Sequence, residues 1–84
     1  MTKRRLISTG SPFEKVAGYS RAVAQGEWCW VSGTTGYDYA AMVMPEGVEA
    51  QTRNAMGTIT KALNEAGFLL QDVVRVVYYV TDAA

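Results

Sequence analysis

The sequence has no histidine and a single cysteine, Cys29, so an imidazole base, a Ser-His-Asp triad, an intrachain disulfide and an ordinary zinc site cannot be built from these residues. Charge is also scarce. Asp, Glu, Lys and Arg make up 19% of the chain, below the roughly 25% of an average globular domain, where a small domain should exceed it. Eight basic residues balance eight acidic ones, so no positive excess supplies the phosphate-neutralising term that dominates nucleic-acid and acidic-membrane binding. Apolar runs are short. Lys3, Arg4 and Arg5 precede only Leu6 and Ile7, which is not the apolar region of a signal peptide, and no run approaches the ~18 residues of a membrane span. The expectation is a soluble, cytoplasmic protein, and a lone cysteine fits a reducing compartment.

What is present must fold with little surface to hide. A 9.2 kDa chain should expose ~4,900 Å² when folded, and burial at ~25 cal/mol/Å² then nearly cancels the ordering of 84 residues, each near ~126 kcal/mol. Without disulfides or a metal, association is the remaining route to stability, and low charge leaves surface free to meet other subunits. A homo-oligomer is therefore expected.

The chain reads as one domain, with Pro12 and Pro45 in loops. Arg4 to Ser8 is a short strand ended by Thr9, Gly10, Ser11 and Pro12. Tyr19 to Gln25 and Trp28 to Thr34 form two β-prone runs around Gly26 and Glu27, a pair suited to a tight hairpin. Both faces of the second run are largely apolar, which predicts a strand covered on both sides. From Gly47 to Ala66, Val48, Ala55, Ile59, Ala62, Leu63 and Ala66 recur at helical steps, with Gly67 placed as the cap. Gly57, together with Ala55, Ala62 and Ala66, predicts close packing of this helix on a sheet. Val73 to Val80 is a β-branched and aromatic run of the kind buried on both faces of a sheet.

Candidate chemistry is sparse. No GxxxxGK[ST] or GxGxxG occurs, and Ser32-Gly33-Thr34-Thr35-Gly36 reads first as a strand-ending turn and second as amides able to cup an anion. Cys29, between two tryptophans, reads as a small buried hydrophobe. Glu46 and Glu49 suit the positive end of a helix dipole, and no metal site is expected. Tyr19, following Gly18 at a loop-to-strand transition, can place its hydroxyl at a cleft rim or simply pack.

Taken in order, Leu6-Ile7-Ser8-Thr9, Gly18-Tyr19-Ser20-Arg21-Ala22-Val23, Trp30-Val31-Ser32-Gly33-Thr34, Gln51-Thr52, Ala66-Gly67, Asp72-Val73-Val74-Arg75 and Thr81-Asp82 resemble the RidA family, also called YjgF or L-PSP. The resemblance implies an α+β, chorismate-mutase-like domain of order β-β-β-α-β-α-β-β, usually a homotrimer with clefts between subunits. On this reading residues 1–84 are a single domain that carries β-β-β-α-β and lacks the C-terminal α-β-β. The family's best-described activity is cofactor-free hydrolysis of enamines and imines such as 2-aminoacrylate to 2-oxo acids and ammonia, and older labels include ribonuclease and translation inhibitor. Carried over by motif, Tyr19, Ser32 and Gly33 would bind the substrate, a small 2-imino or 2-oxo acid. The family often has Gly-Pro-Tyr-Ser where this chain has Ala17-Gly18-Tyr19-Ser20, and Ser-Gly-Gln where it has Ser32-Gly33-Thr34. The arginine and late glutamate of deaminating members belong to the segment after Ala84, and Arg75 does not match that arginine. The expectation is therefore no catalytic residue here and an inactive shortened chain; the alternative is a non-catalytic small-molecule-binding or trimeric assembly module.

Overall fold

Alternation in three short segments builds the sheet on which everything else rests. In a computed structural model that describes residues 3–81, β1 (Arg5–Ile7), β2 (Ala22–Gln25) and β3 (Trp28–Val31) form an antiparallel sheet in that order. Leu6 pairs with Val23 and Val23 with Trp30, while Ile7 pairs with Ala22 and Ala22 with Val31. Side chains alternate across a strand, so the first row shares one face and the second row the other. The second face is the core side: Ile7, Ala22 and Ala24 are buried against Ala62 and Ala66 of the long helix, with Cys29, Val31 and Phe68 packed around them. Alanines on both surfaces let helix and sheet approach closely.

Gly26, at φ 61°, opens the two-residue turn that pairs Gln25 with Trp28, the geometry of a glycine-first hairpin loop. The expected hairpin is therefore present, though its strands are shorter than the sequence predicts. The expected cover on both faces is not found. Trp28 and Trp30 stack with ring centroids 6.2 Å apart and are 63% and 56% exposed, on the same open face as Leu6. That face has no second layer among the described residues, because the two longer helical stretches lie elsewhere.

Helix α1 (Pro12–Ala17) forms where the sequence predicts a loop around Pro12. Ser11 caps it by accepting from the Phe13 amide, Pro12 takes the first turn where no amide is needed, and Gly18 ends it at φ 74°. Helix α2 (Val48–Glu65) matches the predicted span. Its end is a Schellman turn: the Gly67 amide donates to the Asn64 carbonyl at 3.0 Å and the Phe68 amide to Leu63 at 2.8 Å. Arg5 adds a hydrogen bond to the Ala66 carbonyl at 2.8 Å, tying β1 to that terminus.

Two expectations about packing are corrected. A Cβ on Gly57 would meet nothing within 4 Å, so this glycine is not a close-packing point. The close approach is at Gly36, where a Cβ would lie 2.5 Å from Gln51 Cα as the loop after β3 crosses α2. Val73 to Val80 is likewise not a buried strand: after a single 3-10 turn (Leu70–Asp72) it joins no strand pair and is exposed throughout, with Tyr79 at 93%. A β-branched run records a preference for extended backbone, but a strand also needs a neighbour for its amides and carbonyls, and neither sheet edge receives it. The consequence is a chain exposing 6559 Å², about a third above the ~4,900 Å² expected for its mass. No helix among the described residues is long and apolar enough to cross a membrane.

Candidate functional site

The site grows from α1 and the two segments that flank the hairpin. Glu14 lies on the inner side of α1, 5% exposed, and its carboxylate accepts from the Ser8 hydroxyl at 2.9 Å, from the Thr9 amide at 3.3 Å and from the Thr9 hydroxyl. Arg21, at the entry to β2, is fully buried and donates from Nε to Glu14 Oε2 at 3.3 Å. Burial alone would raise the Glu14 pKa, but the Thr9 and Ser8 hydrogen bonds and the Arg21 charge outweigh it and hold the carboxyl below its ordinary value. A buried guanidinium needs each of its faces and edges engaged, and this one has them. Nη1 donates to the Gly33 carbonyl at 2.9 Å and to Thr34 Oγ1 at 3.3 Å, and Nη2 donates to the Tyr19 hydroxyl at 3.3 Å. The guanidinium also stands 4.5 Å from the centroid of the Tyr39 ring.

Above this network lies an open groove of about 390 Å³ whose lining includes Phe13, Tyr19, Gly33, Thr35, Tyr37 and Tyr39. Phe13 meets Tyr37 edge-on at 5.4 Å, and Tyr37 lies 6.2 Å from Tyr39. The loop that carries Gly33 to Tyr39 is held by one bond within itself and one from α2. The Thr35 amide donates to the Tyr39 hydroxyl at 3.0 Å, and Asn54 of α2 donates to the Gly36 carbonyl at 3.0 Å. Aromatic faces around a backbone rim suit a small, partly apolar, planar ligand. Among the described residues no carboxylate, lysine, arginine or cysteine lines this groove. Its side chains can bind and orient a ligand, and its tyrosine and threonine hydroxyls can donate or accept hydrogen bonds.

Of the three residues singled out in the sequence, the structure brings Tyr19 and Gly33 together on the groove wall, with Arg21 bonded to both. Ser32 stands apart from the lining: its hydroxyl donates to the Ser20 carbonyl at 2.6 Å, and its amide donates to the Arg21 carbonyl at 2.9 Å. It extends the β2–β3 pairing by one step. Glu14, Arg21, Phe13, Tyr37 and Tyr39 were not singled out as site residues. The signal for the first was legible, since Ser11-Pro12-Phe13-Glu14 followed by Gly18 carries a helix start and stop. Nothing local marks Tyr37 or Tyr39, whose roles depend on the loop folding back over α1. Cys29 packs beside the core as a half-buried thiol whose pKa burial pushes up, against a smaller opposing effect of Arg5.

Comparison with known proteins agrees with this architecture. A family model described as Endoribonuclease L-PSP matches residues 9–84. An uncharacterised protein of Streptomyces coelicolor is 39% identical over 72 residues, covering 84% of this chain and 53% of its own. A 2-iminobutanoate/2-iminopropanoate deaminase of Capra hircus is 31% identical over 80 residues, covering 94% of this chain and 58% of its own. The crystal structure of a member of the YjgF/YER057c/UK114 family from Mycobacterium tuberculosis superposes with a TM-score of 0.74 at 44% identity, over 86% of this chain and 55% of that one. The chain thus spans between 53% and 58% of the length of these relatives. Three antiparallel strands with a long helix on one face, a family model over nearly the whole sequence and a solved relative of the same fold place the chain in the L-PSP family, the RidA/YjgF group with its chorismate-mutase-like α+β fold.

Proposed function

We propose that this chain supplies the ligand-binding wall of a RidA-type enamine and imine deaminase site, and that residues 1–84 alone bind a small 2-imino or 2-oxo acid without hydrolysing it. The observation that carries this reading is the groove itself, formed by aromatic rings around the Tyr19 hydroxyl and lined, among the described residues, by no carboxylate, lysine or arginine. The deaminase named among the relatives supports the ligand class. Hydrolysis of a 2-imino acid adds water across C=N and expels ammonia, leaving the 2-oxo acid. That chemistry asks for an oriented water and a proton for the departing nitrogen, and no carboxylate among the described residues lines the groove to supply either. A ribonuclease reading finds less support, since the groove presents no cation to a phosphate.

A second reading concerns assembly. The open tryptophan face, the unpaired run from Val73 to Val80 and the excess exposed surface favour self-association that covers them, and the family resemblance makes a homotrimer the expected form. The two readings are compatible, because a trimer would add walls to the groove.

Three measurements test these readings. Proton NMR titration with 2-oxobutanoate should move the amides of Tyr19, Gly33 and Thr35, and a coupled assay with enzymatically generated 2-iminopropanoate should show no acceleration. An acceleration reduced by Tyr19→Phe would overturn the claim of binding without turnover, and unmoved groove amides would remove the binding claim. Light scattering should give the mass of three 9.2 kDa chains; a monomer would sink the trimer.

A further inference from the structure

Glu14 and Arg21 form a charge pair that lies under the groove yet lines none of it. Its two ends face different ways. The carboxylate end is held by Ser8 and Thr9, whereas the guanidinium end reaches Tyr19, Gly33 and Thr34. A neutral pair oriented in this manner is a fixed dipole with its positive end toward the ligand.

The consequence falls on Tyr19. A phenol has one proton to give, and its oxygen here accepts from Arg21 Nη2 at 3.3 Å. Its own O–H must therefore point away from the guanidinium, and among the described residues no hydrogen bond uses that proton. Tyr19 is 37% exposed and lines the groove, so the proton is free to meet a ligand.

We infer that the Glu14–Arg21 pair is a positioning unit that makes Tyr19 a hydrogen-bond donor to an acceptor oxygen of the bound molecule, so that the groove selects a carboxylate or carbonyl over an amine of the same shape. Glu14 acts through Arg21, and Arg21 acts through Tyr19; neither touches the ligand. The inference rests on the groove being the ligand site, and it deepens that reading by naming what decides specificity.

The experiment compares 2-oxobutanoate with butan-2-amine, a ligand of similar size that offers no acceptor oxygen, and adds a ligand-free readout. Glu14→Gln combined with Arg21→Met removes both charges and so avoids leaving one buried alone, and far-UV circular dichroism reports whether the variant folds. Tyr19→Phe and the combined variant should each weaken 2-oxobutanoate about tenfold, as the loss of one strong hydrogen bond does. The triple variant should lose no more than either, and binding of butan-2-amine should not fall in any of them. Losses that multiply to about a hundredfold would show independent roles and overturn the inference. In protein carrying carbon-13 at the tyrosine ring positions beside the hydroxyl, the Tyr19 signal, assigned by its absence from Tyr19→Phe, should shift without ligand in the combined variant. Glu14→Asp, which keeps the charge but shortens the reach, should shift it in the same direction by less and serves if the combined variant does not fold. An unmoved Tyr19 signal would overturn the positioning role. Failure of the wild-type chain to bind 2-oxobutanoate would instead bring down the functional reading, while the tyrosine signal would still decide whether Arg21 sets Tyr19.

Discussion

Adding one methyl group at two glycines should have opposite effects, and the pair of variants tests the packing described above. At Gly36 the new carbon would stand 2.5 Å from both Cα and Cβ of Gln51 and 2.6 Å from its carbonyl oxygen. Those are mainly backbone atoms of α2, so no side chain can rotate away, and the loop or the helix must move. Forced overpacking of this kind costs about 1–3 kcal/mol. At Gly57, an exposed position in the same helix, the methyl meets nothing within 4 Å, and the exchange should stabilise by about 0.4–1 kcal/mol through reduced freedom of the unfolded chain. For a domain of this size 1 kcal/mol moves Tm by about 4–8 °C, so a 2 kcal/mol loss lowers it by about 8–16 °C in Gly36→Ala, and Gly57→Ala should melt a few degrees above wild type. Far-UV circular dichroism during thermal and urea unfolding, at one fixed protein concentration, measures both. The Gly36 loop also carries Gly33 and Tyr39, so its displacement should weaken ligand binding, which Gly57→Ala leaves intact. Gly36→Ala within about 0.5 kcal/mol of wild type, the range of an ordinary surface substitution, would refute the close approach. A destabilised Gly57→Ala would refute the open helix face.

Glu14 and Cys29 give two more expected outcomes. Because the Glu14 pKa is lower in the folded chain than in the unfolded one, its contribution to stability is complete above the ordinary glutamate value and is lost as the pH falls through the folded value. Urea midpoints taken down an acid series should therefore fall more steeply for wild type than for Glu14→Gln, and parallel curves would count against the buried carboxylate. Cys29, with its pKa raised by burial, should react with iodoacetamide at neutral pH more slowly than a free cysteine and at the free rate once urea unfolds the chain. Equal rates before and after unfolding would contradict the packing around it.

Legibility in the sequence followed the range of the interactions involved. The hairpin at Gly26 and helix α2 were readable because turn chemistry and helical spacing act within a few residues. The short α1 was readable in principle from Ser11, Pro12, Glu14 and Gly18, but six residues carry too little periodicity to compete with Gly10 and Pro12 as loop signals. The run from Val73 to Val80 misled in the opposite sense, since its composition is that of a central strand while a central strand is made by its neighbours. At the site, Tyr19 and Gly33 were found through motif resemblance. Arg21 stands within the same motif, yet its burial and its partners twelve and thirteen residues away at Gly33 and Thr34 follow only from the hairpin that folds them together.

The stacked tryptophans have a consequence for optical work on this protein. Both indoles of the chain sit on the open face of the sheet, across the layer from α2, and neither lines the aromatic groove. Indole emission will therefore report what covers that face. Unfolding of an isolated chain should change it little, since two rings already half in water become wholly wet, whereas association over the sheet would shift it toward shorter wavelength. A ligand in the groove would be nearly silent in the same signal, and its spectroscopic trace belongs to the tyrosines.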